Sequence, residues 1–365
     1  MKNDVFERIK DPHFVETVAK ELNEITLPRE VTLMHVCGTH EHTIARAGLR
    51  SLLPEKIRLI AGPGCPVCVC SAVEIDMAIA IAVEHGVILT TFGDMFRVPA
   101  TRGSMESFKA RGADIRVVYS PMDAVEIARA NPSREVVFMA VGFETTAAPI
   151  AAALLDDPPK NLSCVTSLKL VPPALRFLLD RGATEIDGFI LPGHVSTIIG
   201  RTAYLFLEDE YRVPSAIAGF EAVDVLMAVK SIARQIAELA PLGVDNLYTR
   251  AVRENGNGKA LEAIYELFET GDANWRGIGV IPGTGLRFKE KYRNLDASYR
   301  FGLEWNDDAL EILPGCLCDK VILGEAEPEE CPLFATECTP RKPYGPCMVS
   351  NEGTCSARYK YRGIS

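Results

Sequence analysis

The stretch Val31-Thr32-Leu33-Met34-His35-Val36-Cys37-Gly38-Thr39-His40-Glu41 passes from an apolar, β-branched run directly into a small polar turn. A run with so few polar breaks reads as a strand buried on both faces, and the turn after it reads as the entry to a helix. The same unit recurs. Runs at 31–36, 57–61, 87–91, 115–119, 136–141, 163–167, 188–191 and 215–218 predict strands, each leaving through Gly, Pro or polar residues. Helical patterns at 72–85, 104–110, 122–130 and 174–181 lie between them, so the alternation is that of a parallel α/β protein. A turn-rich joint near Ser120-Pro121 divides the eight runs into two sets of four. The expectation is therefore α/β: two small doubly wound parallel-sheet lobes at 29–119 and 120–219. A single closed eight-stranded barrel is the alternative, because strand order is not written in one sequence.

After Gly219 the pattern changes. Residues 223–239 and 258–270 read as helices, a Gly-rich stretch surrounds Ile281-Pro282-Gly283-Thr284-Gly285, and a Pro- and Gly-rich cysteine tail follows. The region 220–365 is expected to be a helical, cysteine-rich C-terminal iron–sulfur domain, with a helix in 1–28 packing against it. At 365 residues the chain is long enough for two or three domains. Its 47% hydrophobic and 24% charged residues exclude disordered and collagen-like classes. The aliphatic run 77–83 is too short to cross a bilayer, and the charged N-terminus lacks the apolar core of a signal peptide. A soluble cytoplasmic protein is expected. The net charge of −10 argues against nucleic acid or an acidic membrane as main partner.

Cysteine carries the chemical signal. There are 11, and six of them (Cys316, Cys318, Cys331, Cys338, Cys347, Cys355) crowd the last 50 residues. Without a secretion signal such density points to metal, cluster or redox chemistry rather than a disulfide scaffold. Four further segments follow expected strands: Cys37-Gly-Thr-His-Glu41, Gly62-Pro-Gly-Cys-Pro-Val-Cys68, Gly142-Phe-Glu-Thr-Thr146 and Pro192-Gly-His-Val-Ser196. Carboxyl ends of parallel strands are where ligands bind. At such an end Cys37, with His40 and Glu41 nearby, is expected to have a lowered pKa and thiolate character, suiting it to a soft metal; the alternative is a buried structural cysteine. Cys65-Pro-Val-Cys68 fits a redox dithiol whose first thiol is the more acidic, or two ligands of a metal site, and Cys70 adds a third thiol. Glu144, Thr145 and Thr146 fit either a site or a helix cap, and His194 either a site or core packing. Cys164, inside an expected strand, reads as core. Phosphate-binding glycine motifs are absent. In the tail, six thiols exceed by two the four that a [4Fe-4S] cluster takes, which leaves a dithiol beside it; structural zinc is the alternative.

These motifs together, with the tail's Gly345-Pro-Cys-Met-Val-Ser350 and Glu352-Gly-Thr-Cys355, resemble the HypD family of nickel–iron hydrogenase maturation proteins over about 31–361. The resemblance implies a scaffold on which the Fe(CN)2CO part of a hydrogenase active site is assembled. It implies a small HypC-type chaperone as partner, a HypE-type cyanide donor carrying thiocyanate, and indirectly the hydrogenase large subunit. Cys37 would bind the iron, with Cys65 and Cys68 as the adjacent redox dithiol possibly touching it, and His40 and Glu41 shaping the site. Glu144, Thr145, Thr146 and His194 would stand behind them. By likeness to ferredoxin–thioredoxin reductase, Cys316, Cys331, Cys338 and Cys355 would hold the [4Fe-4S] cluster and Cys318 with Cys347 the second dithiol. A ferredoxin-dependent thiol–disulfide reductase acting on a protein disulfide is the competing function.

Overall fold

The structure is a computed structural model that describes residues 12–182, 185–303 and 309–363. Of the expected N-terminal helix, Pro12–Asn23 is described and residues 1–11 lie outside. All eight expected strands form: β1 Val31–His35, β2 Ile57–Ala61, β3 Ile88–Phe92, β4 Ile115–Val118, β5 Val136–Gly142, β6 Leu162–Leu168, β7 Gly188–Pro192 and β8 Ser215–Ala218. Three more follow, β9 Val244–Asn246, β10 Phe268–Trp275 and β11 Gly279–Phe288. Two parallel sheets result, one of order β2-β1-β7-β8-β9 and one of order β4-β3-β5-β6. The two parallel lobes are as expected, and a closed barrel does not form.

The allocation of strands to lobes needs correction. β1 pairs with β2 and, through Leu33↔Gly188, with β7, so the first lobe is built from both ends of the strand series. β3 to β6 form the second lobe as one block between β2 and β7. The expected cut between 119 and 120 therefore falls inside a lobe. The Ser120-Pro121 pair that suggested a joint is a helix start. Ser120 caps the helix Pro121–Ala130 in a capping box with Asp123, and Pro121 occupies its first turn. Turn-forming residues mark helix entries as readily as domain boundaries.

The central apolar runs are buried on both faces, β5 at every residue, while the edge strands β2 and β4 expose Arg58 and Val117. Helix Ala222–Ile236 packs on β7, β8 and helix Pro12–Asn23, covering one face of the five-stranded sheet. The helix expected over 258–270 stops at Leu267, and the chain enters the antiparallel hairpin β10–β11, which takes up the Gly-rich stretch. Gly285 belongs there because a Cβ would stand 2.8 Å from that of Ala273. Among the described residues no helix is long and apolar enough to cross a membrane.

One buried polar knot ties the first lobe together. Glu41, fully buried, accepts from both Arg50 guanidinium nitrogens at 3.1 and 2.7 Å and lies 2.7 Å from His35 Nε2. Arg50 also donates through Nε to the Leu59 carbonyl on β2. Burial alone raises the Glu41 pKa, but Arg50 and His35 outweigh it and hold the carboxyl at about 2. Because that value lies below the unfolded one, its stabilisation is present above about pH 4.5 and fades as pH falls toward 2. Arg50→Met strands a buried carboxylate and is expected to cost about 3 kcal/mol in urea unfolding at pH 7. Its acid unfolding, followed by circular dichroism, should begin at higher pH than in the parent chain; unchanged curves would contradict this assignment.

Candidate functional site

Adjacent parallel strands release their chains side by side. β1 and β2 run in register to His35↔Ala61, so the Cys37 loop and the Cys65 loop leave the sheet next to each other. The Gly38 amide donates to the Gly64 carbonyl at 3.1 Å. A Cβ on Gly64 would lie 2.1 Å from the Cys37 nitrogen, and one on Gly38 would lie 2.3 Å from the Glu352 carbonyl oxygen. Only glycine permits these approaches. They explain the glycines of both motifs and place Cys37 against the residue preceding Cys65.

Cys37 is the N-cap of helix Gly38–Arg46 and is only 7% exposed. Here the structure overturns the expected thiolate. Burial pushes the Cys37 thiol up to about 11, while hydrogen bonds from the His40 and Thr39 amides pull it down less strongly, and nearby Glu352 pushes it further up. Cys65 caps the short helix Pro66–Val69, its sulfur accepting the Cys68 amide at 3.2 Å, and the two cysteines are joined as a disulfide.

His40 donates through Nε2–H to the Gly219 carbonyl at 2.8 Å, beyond the end of β8. Its Nδ1 is buried without a partner. Burial, with His35 and His194 nearby, lowers its pKa to about 3, so the ring is neutral. Glu41 is spent on Arg50 and His35, and so supports the helix rather than facing the thiol. His194 is exposed and stacks on Phe220 at 3.8 Å between ring centroids, while His40 lies 5.3 Å from the same ring. Glu144 opens helix Glu144–Leu155 at the end of β5. Its Oε1 accepts the Val171 amide at 2.9 Å, its Oε2 is buried and unpartnered, and burial raises its pKa to about 7. Thr145 and Thr146 are half-buried and neither caps the helix; Thr146 packs on Gly142.

All six tail cysteines line one tight cleft of about 10 Å³, walled by Val321, Leu333, Phe334 and Met348. Cys318 and Cys347 are fully buried with their sulfurs 3.1 Å apart. Cys316, Cys331 and Cys355 sit at the half-buried rim, with Cys338 just inside. The thiols line the walls rather than meeting at one point: among the described residues no three His, Cys, Asp or Glu side chains are set to hold a single metal ion. The tail is docked on both strand-end loops. Its turn Pro346–Met348 packs on helix Pro66–Val69, and its helix Thr354–Lys360 packs on helix Gly38–Arg46, with Tyr361 hydrogen-bonded to His42 at 3.0 Å. One continuous apolar cluster contains Cys65, Cys68, Trp275, Cys318 and Cys347.

Some of the surroundings were not anticipated. Glu352 reaches the Cys37 loop through Thr39 Oγ1 at 2.9 Å. Cys70 joins a buried cluster of Glu74, Ser167 and Lys169, the last two hydrogen-bonded and salt-bridged to Glu74 respectively. The local Ser71-x-x-Glu74 capping box was readable, but Lys169 lies 95 residues away in sequence. Cys164 is fully buried in β6 opposite Phe138, in the core as expected. From the high Cys37 pKa, alkylation of Cys37 by iodoacetamide should be slow at pH 7 and rise about tenfold per pH unit toward about 11. Peptide mass spectrometry would read this, and a plateau below pH 8 would contradict it.

Comparison with known proteins identifies the family. The family model described as "HypD: Hydrogenase formation hypA family" matches residues 13–362. The hydrogenase maturation factor HypD2 of Bradyrhizobium diazoefficiens is 43% identical over 367 residues, covering 97% of this chain and 96% of its own. HypD of Rhodobacter capsulatus is 41% identical over 366 residues, covering 97% of each chain. HypD of Escherichia coli is 42% identical over 345 residues, covering 92% of this chain and 91% of its own. With the motif loops side by side and the match running nearly end to end, the chain belongs to the HypD family of hydrogenase maturation and formation proteins.

Proposed function

We propose that this chain is the scaffold on which the Fe(CN)2CO unit of a nickel–iron hydrogenase is assembled, together with a HypC-type chaperone and a HypE-type cyanide donor. The observation that carries the reading is the junction at Gly38 and Gly64, which sets Cys37 beside the Cys65–Cys68 disulfide. The iron is cargo. Cys37 would grip it as a soft thiolate, its proton leaving as the metal binds. The amides of Thr39 and His40, already directed at the sulfur, then stabilise the resulting charge. His40, neutral and held by the Gly219 carbonyl, keeps an uncharged nitrogen in the site. Opening the Cys65–Cys68 disulfide takes two electrons and two protons and leaves two thiols beside Cys37.

The tail supports a resident [4Fe-4S] cluster on the chemistry of its donors: six thiols around one apolar cleft are more than any packing role requires. Cys316, Cys331, Cys338 and Cys355 would hold it. The close contact of Cys318 with Cys347, deepest in the cleft, favours these two as the remaining dithiol. Once bound, such a cluster would supply electrons singly. The tail also lacks a large core of its own, so sulfur ligation would add to the docking of helix Thr354–Lys360 in holding it.

The competing thiol–disulfide reductase would account for the Cys65–Cys68 pair and the tail cysteines, but it leaves the built position of Cys37 without a task. The test is Cys37→Ala in a host whose own copy is deleted. Hydrogenase maturation should fall to background while the purified variant keeps the fold and the visible absorption of the parent. Retained maturation would refute the scaffold reading, and loss of the absorption would move Cys37 into the cluster. Cys331→Ala, in contrast, should bleach that absorption and expose the last 50 residues to proteolysis.

A further inference from the structure

The four-stranded sheet ends on β6, and the outer edge of that strand is covered only at its two ends. Between β5 and β6 the Val136 amide donates to the Asn161 carbonyl at 2.8 Å and the Lys169 amide to the Gly142 carbonyl at 2.9 Å. A parallel strand bonds to one neighbour through every second residue, so the odd-numbered residues of β6 serve β5 and the even-numbered ones turn their N–H and C=O outward. The chain meets this outer edge at two single bridges, Cys164 with Asp296 and Lys169 with Gly285. At the second, the Leu170 amide donates to the Thr284 carbonyl at 2.8 Å. Between the bridges the N–H and C=O of Thr166 and the N–H of Leu168 meet no ladder partner among the described residues. A bare sheet edge is a template for a further strand.

A cavity faces this stretch. It measures about 480 Å³ and lies between β6, helix Ala72–Glu84 and the hairpin β10–β11, within the size range of ligand sites. Its walls are apolar where Val73, Met77, Val165, Leu168, Val280 and Leu286 line it, and Val280 is 66% exposed. Its charge comes from Asp272, Asp296 and Arg287, two carboxylates to one guanidinium, since buried Glu74 is balanced by Lys169. Asp272 accepts the Gly283 amide, and Asp296 the Ser298 amide and hydroxyl, each through Oδ1 alone. Arg287 is partly spent, donating through Nη2 to the Asp272 carbonyl at 3.0 Å. The cavity therefore favours a cationic guest. None of the residues assigned above to iron or cluster lines it.

The bridges also fix the length of the guest. Residues 165–168 span about 13 Å at about 3.3 Å per residue, and a longer paired strand would run into Asp296 or Gly285. The same two obstacles keep out the full sheet edge of a second copy. We propose that this cavity is a docking slot for a short extended segment of a partner protein, three or four residues long, which adds its backbone to β6 at Thr166 and Leu168. The segment lays β-branched side chains on the apolar wall and offers a Lys or Arg to Asp272 and Asp296. Main-chain bonds supply affinity in this mode, and the pocket supplies choice.

The probe is the blocked tetrapeptide acetyl-Lys-Val-Thr-Val-amide, titrated into the full chain by calorimetry. It should bind with a dissociation constant of about 1 mM or below. In hydrogen–deuterium exchange read residue by residue, it should slow the Thr166 and Leu168 amides and leave Val165 and Ser167, already bonded to β5, unchanged. Two methylated probes separate strand addition from apolar filling, one methylated on both valine nitrogens and one on the Lys and Thr nitrogens. One of them should bind about tenfold more weakly and the other like the parent peptide, because only alternate residues face β6. Glu in place of the probe's Lys should also weaken binding about tenfold. Thr166→Pro removes an outward N–H without touching the β5 ladder and should reduce binding by a similar factor at an unchanged circular dichroism spectrum. Absence of binding, equal behaviour of the two methylated probes, or tighter binding of the Glu probe overturns the proposal. Should Thr166→Pro fail to fold, the methylated pair on the parent chain decides alone.

Discussion

The five parallel partners from Val31↔Ile57 to His35↔Ala61 are the constraint on which the rest depends. Because β1 and β2 end level with one another, their exit loops share one corner of the sheet. Backbone must then pass backbone at a distance no Cβ allows, which is what Gly38 and Gly64 supply. The tail closes over that corner by docking the turn Pro346–Met348 on one loop's helix and the helix Thr354–Lys360 on the other's. A slip of one residue in this register would part Cys37 from the Cys65–Cys68 pair and turn the buried faces outward.

Burial gives each ionisable group at the corner a different state. Arg50 and His35 overcome burial at Glu41 and keep it charged, with a pKa of about 2. Nothing overcomes it at His40, which is neutral with a pKa of about 3, or at Cys37, protonated with a pKa of about 11. Glu144, lacking a cation, is raised to about 7. The charge on the apo corner is thus low, and the thiol is masked until something displaces its proton. A thiol held protonated in this way is slow to alkylate or oxidise.

Much of this was legible in the residues. The strands announced themselves through continuous β-branched runs, since a strand covered on both faces has no polar side to interrupt it. Four motifs fell at strand ends because loops there carry the unusual residues. Topology was less accessible. The pairing of β1 with β7 joins residues more than 150 apart, and the Ser120-Pro121 signal belongs equally to a helix cap and to a domain joint. The hairpin β10–β11 escaped because its glycines look like loop until cross-strand contacts such as Gly285 with Ala273 are seen. The Cys37 pKa was misjudged for a related reason: a helix N-terminus is visible in sequence, whereas the depth of burial that opposes it is not. The Glu74–Lys169 pair and the contact of Glu352 with Thr39 depend wholly on long-range packing.

The most direct measurement on the central claim is infrared spectroscopy of the anaerobic complex co-purified with a HypC-type partner. If sulfur at this corner grips a low-valent iron, the complex will show absorption in the cyanide and carbon monoxide stretching region. An iron-loaded complex that shows neither band, formed in a host competent for maturation, would contradict the account.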